Sequence, residues 1–159
     1  MKCVLQRVSS ASVTVDGSVR ASVSRGLLIL AGLLSTDTDA DLAWMASKIA
    51  ALRIFEDPAG KMNLSVKDIA GAILLVPNFT LAADARKGRR PSFDAAMKPE
   101  QAAPAFDRFA AMLAAHNIPI QTGVFRAHMS VSLVNDGPIT IILDSAHAAP
   151  TDALKDAHQ

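Results

Sequence analysis

The chain has 159 residues, half of them hydrophobic, and a formal net charge of +1. This length predicts one domain with a substantial core, and the small charge excludes attraction of the whole molecule to nucleic acid. Its single cysteine, Cys3, excludes an internal disulfide framework and a multi-cysteine zinc site. The sequence lacks both an apolar run long enough for a membrane span and an apolar signal region at its start. These features predict a cytoplasmic protein.

The first part of the chain predicts strands. Lys2–Val8 alternates apolar and polar residues, as a half-buried strand does. Asp16-Gly17 lies between two alternating runs, Ala11–Val15 and Val19–Val23, and this pattern is a strong signal for a β-hairpin. Gly26–Leu34 is continuously apolar and predicts a strand that is buried on both faces.

The hydrophobic period then changes to that of a helix, at Leu42, Met45, Ile49 and Leu52. This spacing predicts a helix over Asp39–Leu52, which Thr38 and Asp41 would begin as in a capping box. Beyond the helix, Asp57–Gly60 predicts a turn, and Ala72–Val76 predicts another buried strand.

The rest of the chain predicts a loop, a second helix and three strands. Asn78–Phe93 is expected to be loop, and Ala102–His116 is expected to be helix, with Pro104 in its first turn. The three strands are Ile120–Phe125, Met129–Val134 and Ile139–Leu143. Residues 1–145 would form the single domain, and residues 146–159 a flexible tail.

The order of these elements predicts the fold class. Hairpins outnumber strand–helix–strand crossovers, so the sheet should be largely antiparallel. We therefore expect an α+β fold in which a barrel-like β-sheet carries two main helices packed on one side.

Few side chains are available for acid, base or nucleophilic chemistry. The histidines form no recognised ligand pair, so no metal site is predicted; they are His116, His128, His147 and His158. Thr80 or Ser92 could act with His128 in an esterase, although no spacing supports such a triad. Cys3 is predicted to lie in the core. Irregular backbone remains as a source of oxyanion-stabilising N–H groups.

Gly137-Pro138 lies between the last two predicted strands, and two interpretations of it stay open. The surrounding Asn-Asp-Gly-Pro is typical of an ordinary turn. Alternatively, the Gly-Pro bond is cis and another molecule approaches the backbone of Gly137 closely.

Three segments, in order, resemble the motifs of the D-aminoacyl-tRNA deacylase family. Asn78–Leu81 is similar to the end of a Ser-Gln-Phe-Thr-Leu motif, Gly88–Phe93 to a Gly-x-x-Arg-Pro-Ser-Phe region, and Asn135–Thr140 to Asn-x-Gly-Pro-x-Thr. Shorter similar segments are Gln6–Val8, Gly60–Asn63 and Gln121–Gly123. The resemblance covers roughly residues 1–143.

This resemblance implies a homodimeric hydrolase that cleaves the ester between a D-amino acid and tRNA, with no metal or cofactor. Glycyl-tRNA, including glycine mischarged on tRNA-Ala, would also be a substrate. The Gly137–Pro138 bond would be cis and inserted into the active site of the partner subunit, where it leaves no room for an L side chain. Arg7 would hold this element, and Phe125 and Met129 would line a pocket for the terminal adenosine.

The resemblance also assigns the reaction site. The backbone amides of Phe79 and Thr80 would lie near the scissile carbonyl, and we interpret Thr80 as a positioning residue rather than a covalent nucleophile. The chain departs from the family at Pro77-Asn78, where the pattern is Ser-Gln, so one hydroxyl and one N–H are lost. Asn78 keeps an amide for binding substrate, one methylene shorter, so the rate or the side-chain preference could differ.

A basic run lies in the predicted loop, at Arg86, Lys87, Arg89 and Arg90. In the context of the resemblance it is predicted to contact phosphates of the tRNA acceptor stem, while the plainer interpretation is a solvated loop. The remaining alternative is a non-catalytic module that binds tRNA or a nucleotide on the same fold, because a fold does not fix a function.

Overall fold

The structure is a computed structural model that describes residues 1–147. Its strands are β1 (Lys2–Val15), β2 (Ser18–Val23), β3 (Gly26–Gly32), β4 (Phe55–Glu56), β5 (Met62–Leu64), β6 (Ala72–Pro77), β7 (Ile120–Thr122) and β8 (Ser130–Asp144). The helices are α1 (Asp39–Ala51) and α2 (Pro99–Ala114), with short 3-10 helices at Phe79–Ala82 and Ser145–His147. Most of the predicted tail, and His158 within it, lies outside the described residues. No helix of residues 1–147 is long and apolar enough to cross a membrane.

The main sheet is organised around β1. This strand pairs antiparallel with β2, β3 and β8, and the order continues from β3 through β6 to β7 by two parallel pairings. The parallel pairs arise because α1 lies in the connection from β3 to β6, and α2 in the connection from β6 to β7. The far strand β2 approaches β6 and β7, so the sheet is a nearly closed barrel. The predicted α+β class, with a barrel-like sheet and two main helices, is confirmed.

Alternation along β3 explains how the two sides of the sheet are filled. Leu27 and Ile29 belong to the hydrophobic cluster that includes both helices, whereas Leu28 belongs to a second cluster with Val13 and Val76. All three β3 side chains are buried, as expected for a strand covered on both faces. Both helices pack on the same side, as predicted.

Two pairs of predicted strands are each a single strand in the structure. Lys2–Val8 and Ala11–Val15 are joined in β1, because pairing with β8 continues through Ser10 after a shift of register. Met129–Val134 and Ile139–Leu143 are joined in β8. The interpretation of this segment as an ordinary turn does not hold, since the intervening residues bulge out of a continuous strand.

Some element boundaries also differ from the prediction. Helix α2 begins at Pro99 rather than Ala102, so Pro104 lies in the second turn instead of the first. Pro104 has no N–H to donate to the carbonyl of Glu100, one turn earlier in the helix. The proline is tolerated because both residues are exposed to water. Strand β7 ends at Thr122, short of the predicted Phe125. The turn at Asp57–Gly60 is present as predicted, and it connects the short paired strands β4 and β5.

Candidate active site

A pocket of about 1070 Å³ lies beside the strands β3 and β6. Apolar residues of these strands form part of its wall, and the start of α2 and the turn after β7 complete it. Five residues that the sequence predicted for catalysis or substrate binding line this one pocket: Asn78, Phe79, Thr80, Phe125 and Met129. Since they come from separate segments of the chain, the fold assembles the pocket from the motifs.

Asn78 organises the first turn of the 3-10 helix. Its backbone N–H donates to the carbonyl of Ala31 at 2.8 Å, which fixes the end of β6 against β3. Its side-chain Oδ1 accepts hydrogen bonds from the Thr80 N–H at 3.2 Å and from the Thr80 hydroxyl. Asparagine suits this position because its short amide reaches the N–H two residues on.

This turn gives the two predicted oxyanion donors different surroundings. The Thr80 N–H already has the Asn78 side chain as an acceptor. The Phe79 N–H has no acceptor among the hydrogen bonds of residues 1–147, and the Phe79 side chain is 59% exposed. The backbone at Phe79 is therefore the more accessible donor for an anion that develops in the pocket.

The pocket also tests the esterase hypothesis built on Ser92 and His128. His128 lines the pocket, but Ser92 is not among the lining residues. The Ser92 hydroxyl donates to Oδ2 of Asp94 at 2.7 Å. The neighbouring Phe93 does line the pocket, and its ring meets that of Phe79 edge-on at 5.2 Å between centroids. Ser92 thus supports the loop beside the pocket rather than facing into it.

Gly137 and Pro138 lie in the bulge of β8. Gln6 pairs with Thr140 and Val8 pairs with Asn135, so residues 136–139 oppose Arg7 alone. The Gly137–Pro138 peptide bond is cis. Both residues are exposed, and neither lines the pocket of its own chain.

Gly137 occupies a conformation that favours glycine. Its φ is +142°, and an added Cβ would lie 2.7 Å from both the backbone nitrogen and Cγ1 of Ile139. A side chain at this position would therefore force the bulge to change shape.

Arg7 and Asn135 hold the bulge from two sides. The Arg7 side chain is buried, and its Nε donates to the carbonyl of Asp136 at 3.0 Å while one terminal nitrogen donates to the carbonyl of Ile54 at 2.9 Å. Asn135 bonds to both polar backbone groups of Ile139, accepting at 2.8 Å and donating at 3.2 Å. Asn135 closes the bulge as a second strand would, which explains an asparagine two residues before the glycine.

Sequence reasoning missed the supporting roles of Asn135 and Ile54. The Asn-x-Gly-Pro-x-Thr spacing contained a signal for Asn135. No signal could have indicated Ile54, because it contributes only its backbone carbonyl. Three charged residues that line the pocket were also missed: Asp94 and Lys98, which precede α2, and Arg126, which follows β7.

The predicted phosphate-binding run lies in an exposed loop. Asp84 and Ser92 exchange two backbone hydrogen bonds, of 2.8 and 2.9 Å, and so close the base of this loop next to the pocket. Arg86 is paired with Asp84 through two side-chain hydrogen bonds, of 2.9 and 2.6 Å. These bonds hold the pKa of the Asp84 carboxyl far below its usual range. The guanidinium of Arg86 is therefore already matched, whereas Lys87, Arg89 and Arg90 form no salt bridge within residues 1–147.

Cys3 is buried, as predicted for a core residue. Burial raises the pKa of its thiol to about 12. A thiol with such a pKa stays protonated and is a poor nucleophile. Within residues 1–147, no group of three or more His, Cys, Asp or Glu side chains is arranged to hold a metal ion.

Comparisons with known proteins point to one family. The family profile described as D-Tyr-tRNA(Tyr) deacylase matches residues 4–144. The D-aminoacyl-tRNA deacylase of Chloroflexus aurantiacus is 59% identical over 146 residues, which is 92% of this chain and 91% of the relative. The one of Geobacter sulfurreducens is 54% identical over 145 residues, covering 91% of this chain and 95% of the relative.

Two solved structures share the fold. A protein described as c-Myc DNA Unwinding Element Binding Protein is 42% identical, with a TM-score of 0.85, over 91% of this chain and 98% of that chain. A structure described as "a probable eukaryotic D-amino acid tRNA deacylase" has a TM-score of 0.77 over 89% of this chain and 97% of that chain, and at 19% identity it supports the fold alone. The predicted resemblance is confirmed, and the chain belongs to the D-Tyr-tRNA(Tyr) deacylase family.

Proposed function

We propose that this chain hydrolyses the ester bond between a D-amino acid and the 3′ end of tRNA, and so removes D-amino acids before they enter translation. The observation that carries this proposal is that one pocket collects Asn78, Phe79 and Thr80 with Phe125 and Met129. The relatives named D-aminoacyl-tRNA deacylase, at 54–59% identity, support the same activity. The cytoplasm, where aminoacyl-tRNA is used, is the proposed location.

The proposed chemistry uses the backbone more than side chains. Water adds to the ester carbonyl, the bond to the ribose oxygen breaks, and that oxygen takes a proton, leaving a free D-amino acid and tRNA. Negative charge develops on the carbonyl oxygen, and the N–H of Phe79, which has no acceptor among residues 1–147, would stabilise it. The neighbouring 2′-OH of the ribose positions the water.

Thr80 is proposed to position this turn rather than to attack the ester. Its hydroxyl donates to the amide oxygen of Asn78, which is not a base. A nucleophilic hydroxyl needs a base that removes its proton, and the amide cannot do so. Asn78 uses only its oxygen in this contact, so its amide nitrogen remains a candidate for contact with substrate.

Gly137-Pro138 is proposed to select against L-aminoacyl-tRNA from the partner subunit of a homodimer. The pair is exposed and lies outside the pocket of its own chain, as a cross-subunit element requires. Arg7 and Asn135 keep it in a fixed shape. Selection would act by exclusion, because the inserted backbone leaves no room for an L side chain. Glycyl-tRNA has no side chain to exclude and is therefore a further proposed substrate.

The tRNA itself is proposed to contact two regions. Phe125 and Met129 would hold the terminal adenosine, and the ring of Phe125 is supported by Phe106 at 6.5 Å between centroids. The exposed run of Lys87, Arg89 and Arg90, with a smaller part for Arg86, would meet phosphates of the acceptor stem.

A second candidate function is nucleic-acid binding without catalysis. The name of the solved protein at 42% identity, which refers to binding of a DNA element, favours it. Purified protein should be assayed with D- and L-aminoacyl-tRNA without added metal. D-selective turnover supports the deacylase. Saturable tRNA binding with no turnover would instead support the binding module. Turnover of simple esters, lost in His128→Ala, would instead support an esterase.

A further inference from the structure

We infer that Arg126 binds the phosphate on the 5′ side of the terminal adenosine of tRNA. This inference deepens the proposed function and rests on it. Arg126 was not among the residues that the sequence motifs assigned.

The backbone of Arg126 is in an unfavourable conformation. Its φ is +63°, and it occupies the third position of a turn that the Ala127 N–H closes onto the carbonyl of Val124 at 3.2 Å. A positive φ at this position strongly favours glycine. Asparagine and aspartate tolerate it through their short polar side chains, but a long side chain such as arginine adopts it rarely and at a cost. A costly residue that persists in a binding site is a reason to look for a function.

The position of this turn identifies a ligand. Arg126 lines the same pocket as Phe125 and Met129, the two proposed adenosine contacts. In the chain it follows Phe125 directly and precedes Met129 by three residues. Its side chain is exposed, and within residues 1–147 it forms neither a salt bridge nor a side-chain hydrogen bond. A planar guanidinium with no protein partner is suited to bind phosphate oxygens in pairs.

The other charges on the pocket wall fit this assignment. Lys98 is a second cation that lines the pocket, and Asp94 accepts a hydrogen bond from Ser92. An adenosine held against Phe125 must send its phosphate out of the pocket past the adjacent residues. Arg126 is the neighbour of Phe125 in the chain and presents the guanidinium nearest to it in sequence.

The test uses substrates that differ by one phosphate: the 3′-O-D-aminoacyl esters of adenosine and of adenosine 5′-monophosphate, together with D-aminoacyl-tRNA. Arg126→Gly removes the guanidinium and suits the turn, and Arg126→Lys keeps a cation. Arg20→Ala is a matched control, since Arg20 is exposed and does not line the pocket. Both esters and the tRNA are compared by KM and kcat for each variant.

We expect Arg126→Gly to raise KM by about 2- to 5-fold for the two substrates that contain the phosphate. For the adenosine ester, KM should not change. The slope of log KM for tRNA against log salt should fall by about 0.7, the value for one contact with a single-stranded phosphate. Arg126→Lys should keep most of the affinity. The Tm of Arg126→Gly should be unchanged or higher, because glycine suits the turn, so misfolding would not explain the loss.

Three results would overturn the inference. One is an equal rise of KM for the adenosine ester, because that substrate lacks the phosphate. Another is an unchanged KM for every substrate. The third is dissociation of Arg126→Gly oligomers in light scattering, which would give the residue a role between subunits. Failure of the inference is distinct from failure of the proposed function, which would appear as no hydrolysis of D-aminoacyl-tRNA by the unsubstituted protein.

Discussion

The guanidinium of Arg7 connects Asp136 to Ile54, a residue that is distant from it in the chain. Its Nε lies 3.0 Å from the carbonyl oxygen of Asp136 and 3.1 Å from the carboxylate of the same residue. A terminal nitrogen of the same group donates to Ile54, in the segment just before β4. Since Asp136 immediately precedes Gly137, the shape of the bulge in β8 depends on a buried side chain of β1.

Arg7→Met should destabilise the fold and loosen selection together. The carbonyl of Ile54 would lose its charged donor, and such hydrogen bonds contribute about 1.5–3 kcal/mol each. The free energy of unfolding in urea should fall by about that amount, and the ratio of kcat/KM for D- over L-aminoacyl-tRNA should fall as well. Arg20→Met is the control with the same change of side chain, since Arg20 is exposed and does not line the pocket. A variant with lower stability and an unchanged ratio would separate Arg7 from selection.

Thr80→Ala should keep most of kcat. Its hydroxyl contacts the amide of Asn78, so the loss should stay within about tenfold, or about 1.4 kcal/mol in activation free energy. Single-turnover rates, with enzyme in excess over D-aminoacyl-tRNA, measure the chemical step directly. A fall of several decades would instead identify Thr80 as the nucleophile.

Lys87, Arg89 and Arg90, which form no salt bridge within residues 1–147, should contribute more to tRNA binding than Arg86, which is paired with Asp84. Arg89→Ala and Arg90→Ala should each raise KM for tRNA and lower its salt dependence, because each removes a phosphate contact. Arg86→Ala is the matched comparison and should have a smaller effect, since Asp84 already binds its guanidinium. Equal effects from all three substitutions, or none, would leave the loop without the proposed role.

The fold was predictable where local pattern and tertiary structure agree. Gly26–Gly32 is apolar throughout because it is covered on both faces. Helix α1 ends within one residue of its predicted boundary, and its first turn has the expected contact between Thr38 and Asp41. Such features depend on neighbouring residues, which the sequence displays directly.

The shape of the Gly-Pro element was not predictable from local pattern. Proline composition predicts a turn, but β8 continues past Pro138 because its pairing with β1 resumes at Gln6 and Thr140. The engagement of the Thr80 N–H by Asn78 was also hidden, since a family pattern shows which side chain is present and not where it bonds. Both features depend on contacts between atoms that composition and spacing do not specify.

Gly137→Ala offers the most direct measurement of the central claim, through the ratio of kcat/KM for D- over L-aminoacyl-tRNA. An added Cβ would lie 2.7 Å from the backbone nitrogen of Ile139, so the bulge must change shape. Circular dichroism and the oligomeric state should first establish that the variant is folded. We predict high selectivity for the D substrate in the unsubstituted protein and a ratio at least about tenfold lower in Gly137→Ala. Normal hydrolysis of the D substrate with unchanged rejection of the L substrate would contradict the account.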